Sequence, residues 1–114
     1  GNIISITNRH IEQAERVSDW LSIAISAPYE KSVEEMERLI AKIVDEVKTF
    51  ENVKDCKYIG ITDFADSSVI YKILITCSPE YKLAIKRQTL RTIKISMDNA
   101  GISIPYNRID IHQN

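Results

Sequence analysis

Hydrophobic and polar residues alternate along 19–28 and then recur every three or four positions along 32–50, which predicts a strand followed by a helix. The strand is expected to bury one aliphatic set: Leu21, Ile23, Ile25 and Ala27. Trp20 falls on the opposite side of this strand, where it suits a contact with another subunit or module. Pro28 ends the strand because it cannot donate to a sheet ladder.

The first helix carries a start signal and one apolar stripe. Ser32 and Glu35 form a capping box, in which the Ser32 hydroxyl accepts from the Glu35 amide and the Glu35 carboxylate reaches back. The stripe consists of Val33, Met36, Leu39, Ile40, Ile43, Val44 and Val47. This spacing predicts an amphipathic helix that runs to about Phe50 and packs on a sheet.

Two further strands, at 55–64 and 68–77, flank a turn centred on Asp66. Their odd-numbered apolar positions are expected to share the core side: Ile59, Ile61, Val69, Tyr71, Ile73 and Ile75. The numbers of two residues paired directly across the strands must then add up to an even number, which requires a loop of about three residues. The same register places Cys56 and Cys77 on opposite sides of the sheet and predicts no disulfide between them.

The second helix is predicted to start at Ser78-Pro79-Glu80, with Pro in its first position and an acid near the positive end of its dipole. Its inward residues are expected to be Leu83, Leu90, Ile93, Met97 and Ala100, with Ile85 at the edge of the stripe. Gly101 is predicted to end the helix in a left-handed conformation. Ile109 and Ile111 then alternate in a last short strand.

The order strand–helix–strand–strand–helix–strand predicts an α+β fold, a ferredoxin-like βαββαβ sandwich with a four-stranded antiparallel sheet and two helices on one face. The other face is left without helices and carries Ile70, Lys72, Leu74 and Thr76. It is too apolar to face water alone, so we expect it to meet another module or another copy of the chain. Trp20, Ile70, Lys72 and Leu74 are therefore predicted interface residues.

The fold is expected to occupy 19–114, and 1–18 read as a short β segment and linker left from another module. Because the chain begins at Gly1 on this strand-like segment, we expect a fragment of a longer protein; a processed or tagged complete protein is the alternative. No apolar run approaches the ~20 residues needed to cross a bilayer, and no signal-peptide pattern opens the chain.

Composition changes this picture little. The 114 residues are 44% hydrophobic and 27% charged, which is ordinary for one soluble domain. A formal net charge of −1 and few aromatic residues argue against nucleic-acid binding. Cys56 and Cys77 are too few for a disulfide scaffold and fit a reducing compartment.

Residues that bear chemistry do not form a catalytic or metal-binding pattern. Neither His10 nor His112 has ligand spacing to a cysteine, and Asp66-Ser67-Ser68 reads as a turn. We therefore predict no enzyme activity, no metal and no cofactor. The second helix is rich in basic residues, namely Lys82, Lys86, Arg87, Arg91 and Lys94. These are expected to be solvated, or to face a shared water-filled space and bias its ion content within a Debye length of ~8 Å.

Several segments together resemble the cytoplasmic α/β domain of the small-conductance mechanosensitive channel family. They are DSSVIYKILI, the helix ending in DNAGISIP, and the closing YNRIDIH. The opening GNIISITN is similar to the end of that family's middle β domain, with a G-x-I-x-x-I-x-N pattern. Each motif is weak by itself, whereas their order and spacing over nearly the whole chain are fairly specific.

The resemblance implies a homoheptameric channel in the cell membrane that opens under tension and releases ions and small solutes during hypo-osmotic shock. This chain would lie on the cytoplasmic side as part of a cage below the pore, and membrane helices outside it would anchor the protein. The family's pore-lining residues have no counterpart here. A closing C-terminal barrel segment found in some members is also absent up to Asn114.

Two other classes of protein share this fold. One is a ferredoxin-like regulatory module that binds a small molecule; its glycine-rich first turn is not matched by Ala27-Pro28-Tyr29. The other is an acylphosphatase-like hydrolase, which would need an arginine-bearing phosphate loop between Ala27 and Ser32, where no arginine occurs.

Overall fold

The computed structural model describes residues 18–105. It contains strand β1 (Trp20–Pro28), helix α1 (Val33–Val47), strands β2 (Val53–Ala65) and β3 (Ser68–Cys77), a 3₁₀ turn (Pro79–Tyr81) and helix α2 (Lys82–Asn99). The strands form an antiparallel sheet in the order β1-β3-β2. The predicted last strand at Ile109 and Ile111 and the segment 1–17 lie outside the described residues, so the four-stranded ferredoxin-like arrangement stays a prediction.

One face of the sheet, here called the core face, lies under the helices. The alternation predicted for β1 is confirmed, because Leu21, Ile23, Ile25 and Ala27 are all buried there. Tyr71, Ile73 and Ile75 of β3 join them, and α1 adds Met36, Ile40, Ile43 and Val47. Burial of these aliphatic side chains is the main stabilising contribution to the domain.

Two local backbone signals in the sequence are confirmed. The Glu35 amide donates to the Ser32 hydroxyl at 3.1 Å, which caps α1, whereas the Glu35 carboxylate pairs with Lys31 instead of reaching back to the Ser32 amide. Gly101 has φ +71°, and the amides after α2 bond back to it as in a Schellman motif, Gly101 to the Asp98 carbonyl and Ile102 to the Met97 carbonyl. Met97 and Ile102 hold the two positions of the motif that are usually apolar, and both are buried in the core.

The register predicted for β2 and β3 is wrong along most of the hairpin. Cys56 pairs with Ile75 and Ala65 pairs with Ser68, so their numbers have an odd sum and the loop is Asp66-Ser67 alone. Three register shifts interrupt β2, and Gly60 between two of them has φ +134°. Each bulge inserts a residue and changes which side chains face the core.

The two-residue turn and the bulges together overturn two expectations drawn from simple alternation. Ile59 and Ile61 are exposed, at 49% and 37%, instead of lying in the core. Cys56 and Cys77 lie in one buried cluster rather than on opposite sides of the sheet. Both cysteines are free, so the predicted lack of a disulfide agrees with the structure although the reason given for it does not.

The inward side of α2 also differs from the prediction. The buried residues are Ile85, Thr89, Thr92, Ile93 and Met97. Leu83 and Leu90 are 60% and 44% exposed, and Ala100 is exposed as well. Two threonines, Thr89 and Thr92, occupy core positions. The inward side predicted from the aliphatic residues alone is therefore rotated around the helix axis relative to the side that is buried. The helix proper begins only after the 3₁₀ turn, and the Ser78 hydroxyl makes no capping bond.

Candidate interaction surfaces

The face of the sheet opposite the helices, here called the open face, brings the predicted interface residues of β3 together. Ile70, Lys72 and Leu74 alternate with buried neighbours and are each half-buried. Directly across from them lie Ser26, Ala24 and Ser22 of β1. On the β2 side their partners are Asp63, Gly60 and Lys57. The open face thus combines apolar and small side chains with Lys72 in its middle and with Asp63 and Lys57 on its β2 side. Its role as an interface remains a prediction.

Trp20 lies at one end of this open face and contacts Lys82, which the sequence places among the basic residues of the second helix. It pairs with Thr76 across the sheet, and the Lys82 ammonium lies 5.8 Å from its ring centroid. The same ammonium donates to the Ser18 hydroxyl at 3.2 Å. The backbone amide of Cys77 donates a hydrogen bond to the Asp19 carbonyl at 2.9 Å, which extends the pairing of β1 with β3 beyond Trp20. The structure thus ties the start of β1 to the start of α2, a contact that no sequence pattern indicated.

The other predicted basic residues, Lys86, Arg87, Arg91 and Lys94, are exposed along α2. Leu83 and Leu90 are exposed on the same helix, so its outer surface is both basic and apolar. The sequence contained a signal for this surface, because Leu83, Arg87, Leu90 and Lys94 follow the spacing i, i+4, i+7, i+11 of one helix side. Whether this side faces a shared water-filled space remains a prediction.

Helix α1 presents the opposite charge close to β2. The Tyr58 hydroxyl donates to the Glu37 carboxylate at 2.8 Å, joining strand and helix. Burial, followed by this hydrogen bond, raises the pKa of Tyr58 well above its usual range. Burial and then the nearby charges of Glu37 and Glu34 raise the pKa of Tyr71. The Glu37 carboxylate therefore lies on the β2 side of α1.

The nucleophilic side chains of the described residues are not arranged for catalysis. Burial, and then Asp55, raise the pKa of the Cys56 thiol to about 11, and burial raises that of Cys77. A protonated, buried thiol is a poor nucleophile. Asp66 and Ser67 form the hairpin turn, and within residues 18–105 no group of three or more His, Cys, Asp or Glu side chains is placed to hold a metal. His10 and His112 lie outside the described residues.

An open cleft of about 580 Å³ lies between the turn after β1 and the segment after α2. Its lining residues are Pro28, Glu30, Lys31, Ser67, Gly101, Ser103, Ile104 and Pro105. The ammonium of Lys31 is already paired with Glu35 at 3.5 Å, and Glu30 adds a like charge for any anion. These residues do not supply the converging polar groups that a small-molecule site needs.

Comparison with known proteins places these surfaces in context. No protein-family model matches the chain. A small-conductance mechanosensitive channel from Caldanaerobacter subterraneus subsp. tengcongensis is 26% identical over 91 residues, which are 78% of this chain and 32% of that protein. The crystal structure of Helicobacter pylori MscS in its closed state superposes with a TM-score of 0.63 and 25% identity over 77% of this chain and 35% of that chain.

The described residues form an α+β domain with one open sheet face and two oppositely charged helices. The chain is similar in both sequence and structure to mechanosensitive channels, so the resemblance to the small-conductance mechanosensitive channel family seen in the sequence is confirmed. The chain spans about a third of the length of the channels it matches. None of the helices within residues 18–105 has the length and apolar character needed to cross a membrane.

Proposed function

We propose that this chain is a cytoplasmic part of a mechanosensitive channel and forms part of an oligomeric cage beneath a tension-gated pore. In this proposal, the longer protein lies in the cell membrane and releases ions and small solutes under hypo-osmotic shock. The observation that carries it is the match, in both sequence and fold, to about a third of two channels. Both proteins that the chain resembles are channels and not enzymes, which also supports a role other than catalysis.

The open face supports the assembly part of the proposal. Ile70 and Leu74 place aliphatic side chains on a sheet face that neither helix covers. In a ring of identical copies, such a face can be covered by a neighbouring copy or by another module of the same chain. A homoheptamer is the assembly that the family resemblance implies.

The activity is tested by patch recording of the full-length protein in liposomes. We expect currents that appear under applied tension and are absent from protein-free liposomes. If protein shown to be inserted in the bilayer gives no tension-gated current, the proposed function is wrong.

The open face is tested by thiol labelling of a Leu74→Cys variant, in this chain alone and in the full-length channel. We expect the introduced thiol to react in the isolated chain and to be protected in the channel, since the assembled cage covers it. A matched Asp66→Cys variant places the thiol at the exposed hairpin and should react in both. Equal labelling of both variants in the channel would argue against an open-face contact.

A further inference from the structure

The two helices carry opposite formal charges. Helix α1 has five acidic and two basic side chains, a net charge of −3. Helix α2 has five basic side chains and one acidic one, a net charge of +4. The ion pairs between described residues, Lys31–Glu35 and Lys94–Asp98, are both local, and neither joins the two helices. Most of this opposite charge therefore faces outward rather than being neutralised between α1 and α2.

The acidic charge lies beside exposed apolar residues of β2. Helix α1 packs against β2, and the hydrogen bond from the Tyr58 hydroxyl to the Glu37 carboxylate joins the strand to the helix. On this strand Ile59 and Ile61 are exposed, and Phe64 is exposed at 67%. Glu34 and Asp45 share one side of α1 with Glu37 by their helical spacing i, i+3, i+11. We call this surface the acidic edge, and its members are Glu34, Glu37, Asp45, Ile59, Ile61 and Phe64.

The basic charge lies on the other side of the domain and is also interleaved with apolar residues. Helix α2 packs against β1, which within the described sheet is the outer strand opposite β2. Leu83, Leu90 and Ile95 are all exposed along it. We call this surface the basic edge, and its members are Lys86, Arg87, Arg91, Leu83, Leu90 and Ile95.

We propose that the acidic edge of one copy docks on the basic edge of the next copy. The two edges belong to opposite sides of the described sheet, so copies placed side by side bring opposite charges and apolar side chains into contact. Such a contact joins two different surfaces, and a head-to-tail contact of this kind generates a ring when its rotation closes. The inference rests on the proposed function in one respect, that a cage wall is built from copies of this chain.

An anionic membrane surface is the other partner that could bind a helix with basic and apolar residues on its exposed side. It would use the basic edge alone and leave the acidic edge and the exposed aromatic ring of Phe64 without a partner. A second copy accounts for both edges at once. The inference also places the basic residues at a contact between copies, in place of the water-filled space considered from the sequence.

Charge reversal with mixing tests the proposal on this chain. One variant carries Arg87→Glu with Arg91→Glu, and the other carries Glu34→Lys with Asp45→Lys. Glu37 is left unchanged because it bonds to Tyr58. Self-association is measured by sedimentation velocity up to millimolar concentration, at low and high salt, after circular dichroism has shown that each variant is folded.

We expect each variant alone to associate about tenfold or more weakly than the native chain, since like charges then face each other. An equimolar mixture should regain association, because every acidic edge again meets a basic one. Higher salt should weaken the native contact. Glu30→Lys is the matched control: it reverses a charge in the exposed turn after β1, outside both edges and the open face, and should leave this association unchanged.

Three results would overturn the inference. They are a native chain that stays monomeric at millimolar concentration, association that neither double variant changes, and binding of the native chain to anionic vesicles that Arg87→Glu with Arg91→Glu abolishes while self-association persists. None of these would remove the proposed channel function, which depends on tension-gated currents of the full-length protein.

Discussion

The Lys82 ammonium lies 5.8 Å from the centre of the Trp20 ring and also donates to the Ser18 hydroxyl. A cation over an aromatic face is attracted by the ring's negative quadrupole, and at an exposed place this contributes about 0.5–1 kcal/mol. The contact joins the first residue of β1 to the first residue of α2, which lie far apart along the chain.

Replacing Lys82 by alanine should lower the free energy of unfolding by about 0.5–1 kcal/mol and make Trp20 more accessible to acrylamide. Trp20 is the single tryptophan of the sequence, so its emission reports on this place alone. Lys86→Ala changes a nearby basic residue of the same helix and serves as the control. Equal quenching of the two variants would show that Lys82 does not cover the ring.

Ser32 and Ser78 both precede a helical segment, but only Ser32 caps one with its hydroxyl. Ser32→Ala should cost about 1 kcal/mol of stability, because the Glu35 amide loses its acceptor. Ser78→Ala should change stability by less than about 0.5 kcal/mol. Urea denaturation compares the two, and equal losses would contradict the assignment of the cap.

The Cys56 thiol should make the domain sensitive to alkaline pH. Its pKa rises from 9.0 to about 11 on folding. Between these pH values the unfolded chain loses the proton while the native chain keeps it, so stability falls as pH rises, by about 2 kcal/mol for this group. Below about pH 8 the thiol is protonated in both states and contributes almost no slope.

Cys56→Ala isolates this contribution. The variant should lose some stability at pH 7 through the missing sulfur atom, yet its stability should fall less steeply between pH 9 and 11 than that of the native chain. Urea denaturation across this range gives both quantities. An unchanged slope would mean that the native thiol titrates as the unfolded one does.

Thr89 is buried in the core, and its hydroxyl has no hydrogen-bond partner among the described residues. Thr89→Val keeps the shape and removes an unpaired polar atom, so we expect a gain of about 1 kcal/mol. Thr49→Val is the contrasting control, because the Thr49 hydroxyl donates to the Glu46 carbonyl at 2.6 Å and its loss should destabilise the domain slightly. Thermal unfolding should move the two midpoints in opposite directions.

The sequence determined the features that depend on local geometry. Alternation along β1, the Ser32 cap and the left-handed Gly101 each follow from the residue types within a few positions, since backbone hydrogen bonds and φ preferences act over that range. The family resemblance rested on the order of such signals. For that reason the α+β class and the resemblance to the channel family could both be predicted from the sequence alone.

Only the tertiary structure decided the features that depend on distant partners. A bulge leaves Ile59 out of the pairing with β3, and the two-residue turn sets the odd-sum register that puts Cys56 into one core cluster with Cys77. Both features are fixed by pairing with β3 rather than by β2 alone. The exposed positions of Leu83 and Leu90 arise because Thr89 and Thr92 occupy the core side of α2. A core is filled according to shape and volume, so polar residues can take inward positions that hydrophobic periodicity assigns to others. The basic and acidic edges, which depend on these outcomes, became visible for the same reason.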